Sequence, residues 1–215
     1  MNRVIKAFIF DLDGTLLDSE ILWCKSLYQL IADRGLPVTE AYACELVFGR
    51  SWGDVFNRLR RDYPSIKETA WVLEQASQQY YESLRATVDI RIHSSIDLLK
   101  RLAQHHPVAI VSGSTRRQIE AAIELMDIRP YLQFYLGNED YPFGKPDPTC
   151  FLLAARHFGV EPDQCLVFED SAVGVRAAKA AKMHCIALRR KGHPPQDVSM
   201  ADEILSDLSD FKFNL

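Results

Sequence analysis

The stretch Val4-Ile5-Lys6-Ala7-Phe8-Ile9-Phe10, followed at once by Asp11-Leu12-Asp13-Gly14-Thr15, decides how the rest of the chain is read. A short, almost wholly apolar run of this kind is a strand buried on both faces, as in the middle of a parallel sheet. It delivers two carboxylates, two positions apart, onto a glycine-containing turn. Close carboxylates repel, and burying them without a counter-charge is costly. The pair therefore asks for a cation, and Mg²⁺, which takes hard oxygen ligands, is the expected one.

Working outward, residues Ser19 to about Arg85 change texture. Apolar residues recur at helical spacing (Ile21, Leu22, Leu27, Leu30, Ile31, then Val55, Phe56, Leu59), broken at Gly35-Leu36-Pro37, Gly49 and Pro64. This reads as about four helices without a strand. Beyond it strands and helices alternate. Strands are expected at Pro107–Val111, Phe134–Leu136, Cys165–Phe168, His184–Leu188 and, more weakly, Glu203–Leu205. Helices are expected at Thr115–Met126, Pro148–Phe158 and Ser171–Ala181. Such alternation implies βαβ units and an α/β, doubly wound parallel sheet. The helical block then becomes an insertion after the first strand. The expected division is a core of residues 1–16 and 88–215 and a helical insert of 17–87, hinged at Leu16–Ser19 and Thr87–His93.

In an open parallel sheet, ligands bind beyond the carboxyl ends of the strands. Asp11 and Asp13 end the first strand, and Ser112-Gly113-Ser114 ends the second. Lys145 lies in Gly144-Lys145-Pro146-Asp147-Pro148 before a helix, and Glu169-Asp170-Ser171 ends the strand at Leu166–Phe168. Four carboxylates, a serine-glycine turn and a lysine suit phosphoryl transfer. Ser112 and the Gly113 N–H would hold an anion at a helix N-terminus, Lys145 would add positive charge, and Asp170 with Glu169 would give oxygens to a metal.

Bulk properties narrow the class. The chain has 215 residues, 47% hydrophobic and 25% charged, with a net charge of −4. That balance, with no basic stripe, argues against a nucleic-acid binder. No apolar stretch is long enough for a bilayer, and the first residues carry no signal-peptide pattern. The five cysteines, Cys24, Cys44, Cys150, Cys165 and Cys185, have neither CxxC nor zinc-type spacing, and read as reduced, mostly buried thiols of a cytoplasmic protein. Trp71, Tyr80 and Tyr81 read as packing within the insert, His105-His106 as an exposed helix end, and Arg116 as a helix-surface residue.

Taken together, Asp11-Leu12-Asp13-Gly14-Thr15, Ser112-Gly113, Lys145 and Glu169-Asp170 resemble, in order, the four motifs of the haloacid dehalogenase-superfamily phosphatases. The branch resembled carries a helical cap after the first motif and includes β-phosphoglucomutase-like proteins. The resemblance implies a Rossmann-like core with an inserted cap and Mg²⁺-dependent hydrolysis of a small phosphorylated metabolite, with a sugar phosphate as the leading guess. By this resemblance Asp11 is the nucleophile that becomes an aspartyl-phosphate, and Asp13 is the general acid and then base. Asp11, the Asp13 carbonyl and Asp170 hold the metal, with Glu169 beside it or acting through water. Ser112 and Gly113 bind the phosphoryl group, and Lys145 orients Asp11. The loop Phe48-Gly49-Arg50-Ser51-Trp52 resembles the specificity loop of the cap, so that Glu20, Trp23, Arg50 and Trp52 are expected to meet the leaving group. Thr15, and the lack of a histidine in Glu20-Ile21-Leu22-Trp23-Cys24-Lys25, favour a phosphatase. The alternatives are a phosphomutase of the β-phosphoglucomutase type and a non-catalytic binding protein on the same fold. A monomer is expected.

Overall fold

The computed structural model describes residues 4–48, 52–85, 87–193 and 196–213. Its centre is a six-stranded, all-parallel sheet: β1 (Ala7–Phe10), β2 (Val108–Val111), β3 (Phe134–Leu136), β4 (Cys165–Glu169), β5 (His184–Leu188) and β6 (Glu203–Leu205). The spatial order is β3-β2-β1-β4-β5-β6. Every residue of β1, β2 and β4 is buried, which is why these runs are apolar without alternation. In register, Phe10 pairs with Phe168 of β4 and Ile110 of β2. After β1 the chain winds out through β2 and β3, then returns to lay β4 on the other side of β1. The order therefore reverses between β1 and β4, and a crevice opens beyond their carboxyl ends.

The helices are α1 (Ser19–Ala32), α2 (Glu40–Val47), α3 (Trp52–Asp62), α4 (Ala70–Arg85), α5 (His93–Leu102), α6 (Arg116–Met126), α7 (Thr149–Phe158) and α8 (Ala172–Ala180). The sequence implies a helix ending at His105-His106 but gives it no start beyond the hinge reaching His93, and helix α5 ends earlier, at Leu102. Its N-cap is Ile92, which makes no side-chain cap bond, yet Ile96, Leu99 and Leu102 are buried at helical spacing. Helix α6 is closed by Thr115 and Gln118, which satisfy each other's backbone N–H groups in a capping box. Helices α7 and α8 pack on the sheet, joining Ala7, Ile9, Cys165, Val167, Cys185 and Ala187 to Phe151, Ala154, Val175 and Ala178 in one core. On the other face of β1, Phe8 meets Phe168, His106 and Phe213. His106 is thus half-buried against β1 and not exposed, and burial holds its pKa below the usual value.

The chain separates into two compact units, Met1–Leu17 with Arg91–Leu215, and Asp18–Ile90. On the sheet side of the division, the Ile92 N–H donates to Leu16 at 2.9 Å and Leu17 bridges Arg91. On the other side, the Asp18 N–H donates to Ile90 at 2.7 Å. The second unit is helical, with α1 packed on α2 and α4 around Leu27, Leu30, Ile31, Leu46, Phe56, Leu59 and Leu73. Within it Trp23 stacks on Tyr81 at 4.2 Å and meets Trp52 edge-on at 4.7 Å. Tyr80 packs on the core and donates to Asp33 at 2.5 Å, but Trp71 is 68% exposed and takes no part in the packing expected of it. No helix among the described residues is long and apolar enough to cross a membrane. All five cysteines are free, four of them buried and Cys44 half-buried.

Candidate active site

The turn after β1 is built for close approach. Leu16 and Leu17 N–H groups both donate to the Leu12 carbonyl, and Gly14 N–H donates to Leu17. Gly14 has φ +89°, and a β-carbon there would fall on the Asp170 carboxylate. Glycine is needed at this position for both reasons.

Across the crevice, β4 ends in Glu169 and Asp170. Glu169 is completely buried, with both carboxylate oxygens engaged. Its Oε2 accepts from the Asp170 N–H, the Ser171 N–H and the Ser171 hydroxyl, each at 2.9 Å, while its Oε1 accepts from Lys145 at 2.6 Å. Ser171 is also the N-cap of α8, so the Glu169 charge sits at the favourable end of a helix dipole. A β-carbon on Gly174 would fall on this carboxylate, so its seat exists only because residue 174 has no side chain.

Lys145 ties three strand ends together. Its ammonium donates to Asp11 Oδ1 at 2.5 Å (end of β1), to Glu169 Oε1 at 2.6 Å (end of β4) and to the Val111 carbonyl at 3.2 Å (end of β2). All three of its protons are thereby placed. Burial works against the ammonium, but the two carboxylates outweigh it and hold the lysine pKa well above its ordinary value. The Asp11 carboxyl is pushed well above the usual range, first by burial, with Glu169 and Asp13 adding to the push and Lys145 opposing it. One lysine does not neutralise this group of acids. Asp11, Glu169 and Asp170 each offer a carboxylate oxygen, and these oxygens lie within 4.8 Å of one another. The donor set, all hard oxygen and in excess negative charge, fits a divalent cation.

Ser112 is buried at the end of β2, where its N–H donates to Leu136 and its carbonyl accepts from the Tyr141 hydroxyl at 2.7 Å. Helix α6 begins only at Arg116, so Ser112 and Gly113 precede its N-cap and do not form the helix's first turn. Ser112, Gly113, Asp11, Asp13 and Lys145 line one cavity of about 370 Å³, together with Ser114, Asn138, Tyr141, Gly144, Ser171 and Val173. Sequence reading missed Tyr141 and Ser114 as site residues. Burial pushes the Tyr141 phenol up to about 12, so it stays protonated and donates.

Glu20 lies in the first turn of α1, in the helical unit, and Arg50 lies outside the described residues. Arg116 is 53% exposed and pairs with Asp140 at 2.5 Å, a surface role. The cysteines offer no rival nucleophile. Burial raises Cys150 to about 11 and Cys165 to about 12, and pushes Cys24 and Cys185 higher.

Residues 8–188 match the family model of the haloacid dehalogenase-like hydrolases. The chain belongs to that family. It is 27% identical over 183 residues to fructose-1-phosphate phosphatase YqaB of Escherichia coli K12, covering 84% of this chain and 95% of that one. It is 28% identical over 190 residues to hexitol phosphatase B of the same strain, covering 86% and 84%. Among solved structures, a haloacid dehalogenase-like protein of unknown function from Agrobacterium tumefaciens C58 superposes with a TM-score of 0.77 at 28% identity, covering 96% of this chain and 95% of that one. A family hydrolase from Deinococcus radiodurans R1, solved with phosphate and sodium, superposes with a TM-score of 0.81 at 22% identity, covering 97% and 94%, and shows the shared fold.

Proposed function

We propose that this phosphoric monoester hydrolase removes the phosphoryl group from a small phosphorylated metabolite, with Asp11 as nucleophile and Mg²⁺ as cofactor. The observation that carries the reading is Lys145. It holds one Asp11 oxygen at the floor of a cavity whose wall is Ser112 and Gly113. With Oδ1 tied to the ammonium, the other oxygen of Asp11 is left to attack phosphorus. Binding the anion beside a lysine and the Ser112 hydroxyl places charge where it develops in the transition state.

Asp11 would form a bond to phosphorus as the ester oxygen departs, giving an aspartyl-phosphate. Asp13 would supply the proton that the leaving oxygen takes, then remove one from the water that hydrolyses the intermediate. Asp11, the Asp13 carbonyl and Asp170 would hold the metal. Glu169, with both oxygens already accepting hydrogen bonds, would act beside it by fixing Lys145 and the Asp170 backbone. The bound cation supplies charge neutralisation for a phosphate dianion approaching a cluster of acids.

A sugar or polyol phosphate is the favoured substrate, supported by relatives named for fructose 1-phosphate and hexitol phosphates. The helical unit, Asp18–Ile90, would act as the cap that selects the leaving group, with Glu20 and Arg50 as its polar contacts. Hydrolysis is favoured over mutase chemistry by Trp23, which stands where a mutase of this branch has histidine and is stacked on Tyr81. Phosphate release across a panel of phosphorylated metabolites, with Mg²⁺ and with EDTA, tests the reading. Release from one or a few sugar or polyol phosphates, lost in EDTA, is expected. Release that is indifferent to EDTA would remove the metal, and isomerisation of a hexose 1-phosphate without release would replace hydrolase by mutase.

A further inference from the structure

Asp13 must be aimed, and the structure contains a device for aiming it that none of the four motifs includes. The Asp13 Oδ2 accepts from the Ser114 hydroxyl at 2.7 Å, across 101 residues of sequence. Ser112 is a weaker partner for the same oxygen at 3.5 Å, and its own hydroxyl oxygen is already taken by the Ser114 N–H at 3.0 Å. The backbone of Ser114 is in turn fixed. Its carbonyl accepts from the Asn138 N–H at 3.0 Å, and a β-carbon on Gly137 would come within 3.0 Å of that same carbonyl. Glycine at 137 thus lets the loop after β3 close onto Ser114, and Ser114 presents its hydroxyl to Asp13 from a clamped turn.

In the proposed reaction Asp13 is a carboxylic acid in one half and a carboxylate in the other. With Oδ2 held by Ser114, the proton that is given and taken back is carried on Oδ1. Oδ2 is then an acceptor in both forms, and a neutral hydroxyl can donate to it in both, without the strong bias towards the charged form that an ammonium would bring. One partner can therefore hold Asp13 Oδ2 in place through both halves. We infer that Ser114 is a positioning residue for Asp13, holding one of its oxygens so that the other meets the leaving group; this rests on the phosphatase reading above. Ser114 itself neither attacks nor transfers a proton.

The test uses the full-length enzyme with Mg²⁺ and a series of substituted phenyl phosphates, from 4-nitrophenyl, whose leaving group departs unprotonated, to 4-methoxyphenyl, which needs a proton. The quantity read is kcat/KM, which covers every step through departure of the leaving group. General acid catalysis contributes about 10²–10⁴-fold, so Ser114→Ala should lower kcat/KM about 10–100-fold for 4-methoxyphenyl phosphate and by about threefold for 4-nitrophenyl phosphate. The dependence on leaving-group basicity steepens, and Ser114→Thr, which keeps the hydroxyl, restores the wild-type slope. Retained turnover of the 4-nitrophenyl ester shows that the variant is folded. An equal loss across the series would overturn the inference, because it means Ser114 touches the phosphoryl group or the fold. An unchanged series would overturn it as well. Failure of the underlying reading looks different: Asp11→Asn would still release phosphate, with Ser114 intact.

Discussion

Replacing Lys145 by methionine removes the cation that pairs with Asp11 and Glu169 at the floor of the site while keeping its length and most of its volume. Lys145 and Asp11 have side chains only 9% exposed, and Glu169 is fully buried. The variant leaves two buried acids facing each other across the space the ammonium filled. At an effective dielectric near 20, unit charges about 2.5 Å apart attract by about 6–7 kcal/mol. Desolvation of the lysine offsets much of this, and removing one partner of a buried pair costs about 3–5 kcal/mol in practice. For a chain of this size that is a fall in melting temperature of about 6–20 °C. The assay is thermal and urea unfolding in EDTA, so that no cation substitutes for the lysine. Adding Glu169→Gln removes one of the two stranded charges and should recover part of the loss, a coupling that a double-mutant cycle reads directly. A loss below about 1 kcal/mol in the single variant, or no recovery in the double, would refute the claim that Lys145 holds Asp11 and Glu169 together as buried charges.

Two further outcomes follow from the same geometry. Gly174→Ala puts a β-carbon on the Glu169 carboxylate, so it should cost about 1–3 kcal/mol by overpacking and lower phosphate release through the Lys145–Glu169 contact; an unchanged urea midpoint would contradict this. Away from the site, Asp202 accepts from Lys179 at 2.5 Å and from the Cys185 N–H at 2.8 Å, and these outweigh burial to hold its pKa low. A carboxylate lowered in the folded state stabilises fully above its unfolded value of about 3.9 and loses that contribution as pH falls towards the folded value. Asp202→Asn should therefore lower the urea midpoint at pH 6 and narrow the gap to wild type at pH 3; parallel curves would remove Asp202 from the acid limb.

The strands were legible because burial on both faces leaves nothing polar in them. Phe134–Leu136 and His184–Leu188 stand where their composition puts them, and Val4–Phe10 overshoots β1 only at its polar-flanked start. Helix α5 carries a readable signal in Ile96, Leu99 and Leu102, but its N-cap, Ile92, is not a polar residue and leaves its start unmarked in the sequence. The residues of the candidate site divide the same way. Asp11, Asp13, Ser112, Gly113, Lys145, Glu169 and Asp170 stand at strand ends or helix starts, and such positions can be inferred from element order alone. Tyr141 and Ser114 owe their places to loop closure over Gly137 and to bonds spanning 29 and 101 residues, and no local pattern announces these. Local spacing was equally silent on the four hydrogen bonds that occupy Glu169. Its neighbours Gly174 and Ser171 looked like ordinary helix-start residues.

The central claim is that the phosphoryl group passes through Asp11. Acid quench of the enzyme during turnover, followed by mass spectrometry of the peptide spanning residues 7–18, tests it most directly. The account predicts the mass of one phosphoryl group on Asp11, labile to hydroxylamine and missing from Asp11→Asn, which itself releases no phosphate. A wild-type enzyme that turns over without this adduct while Asp11→Asn remains active would contradict it.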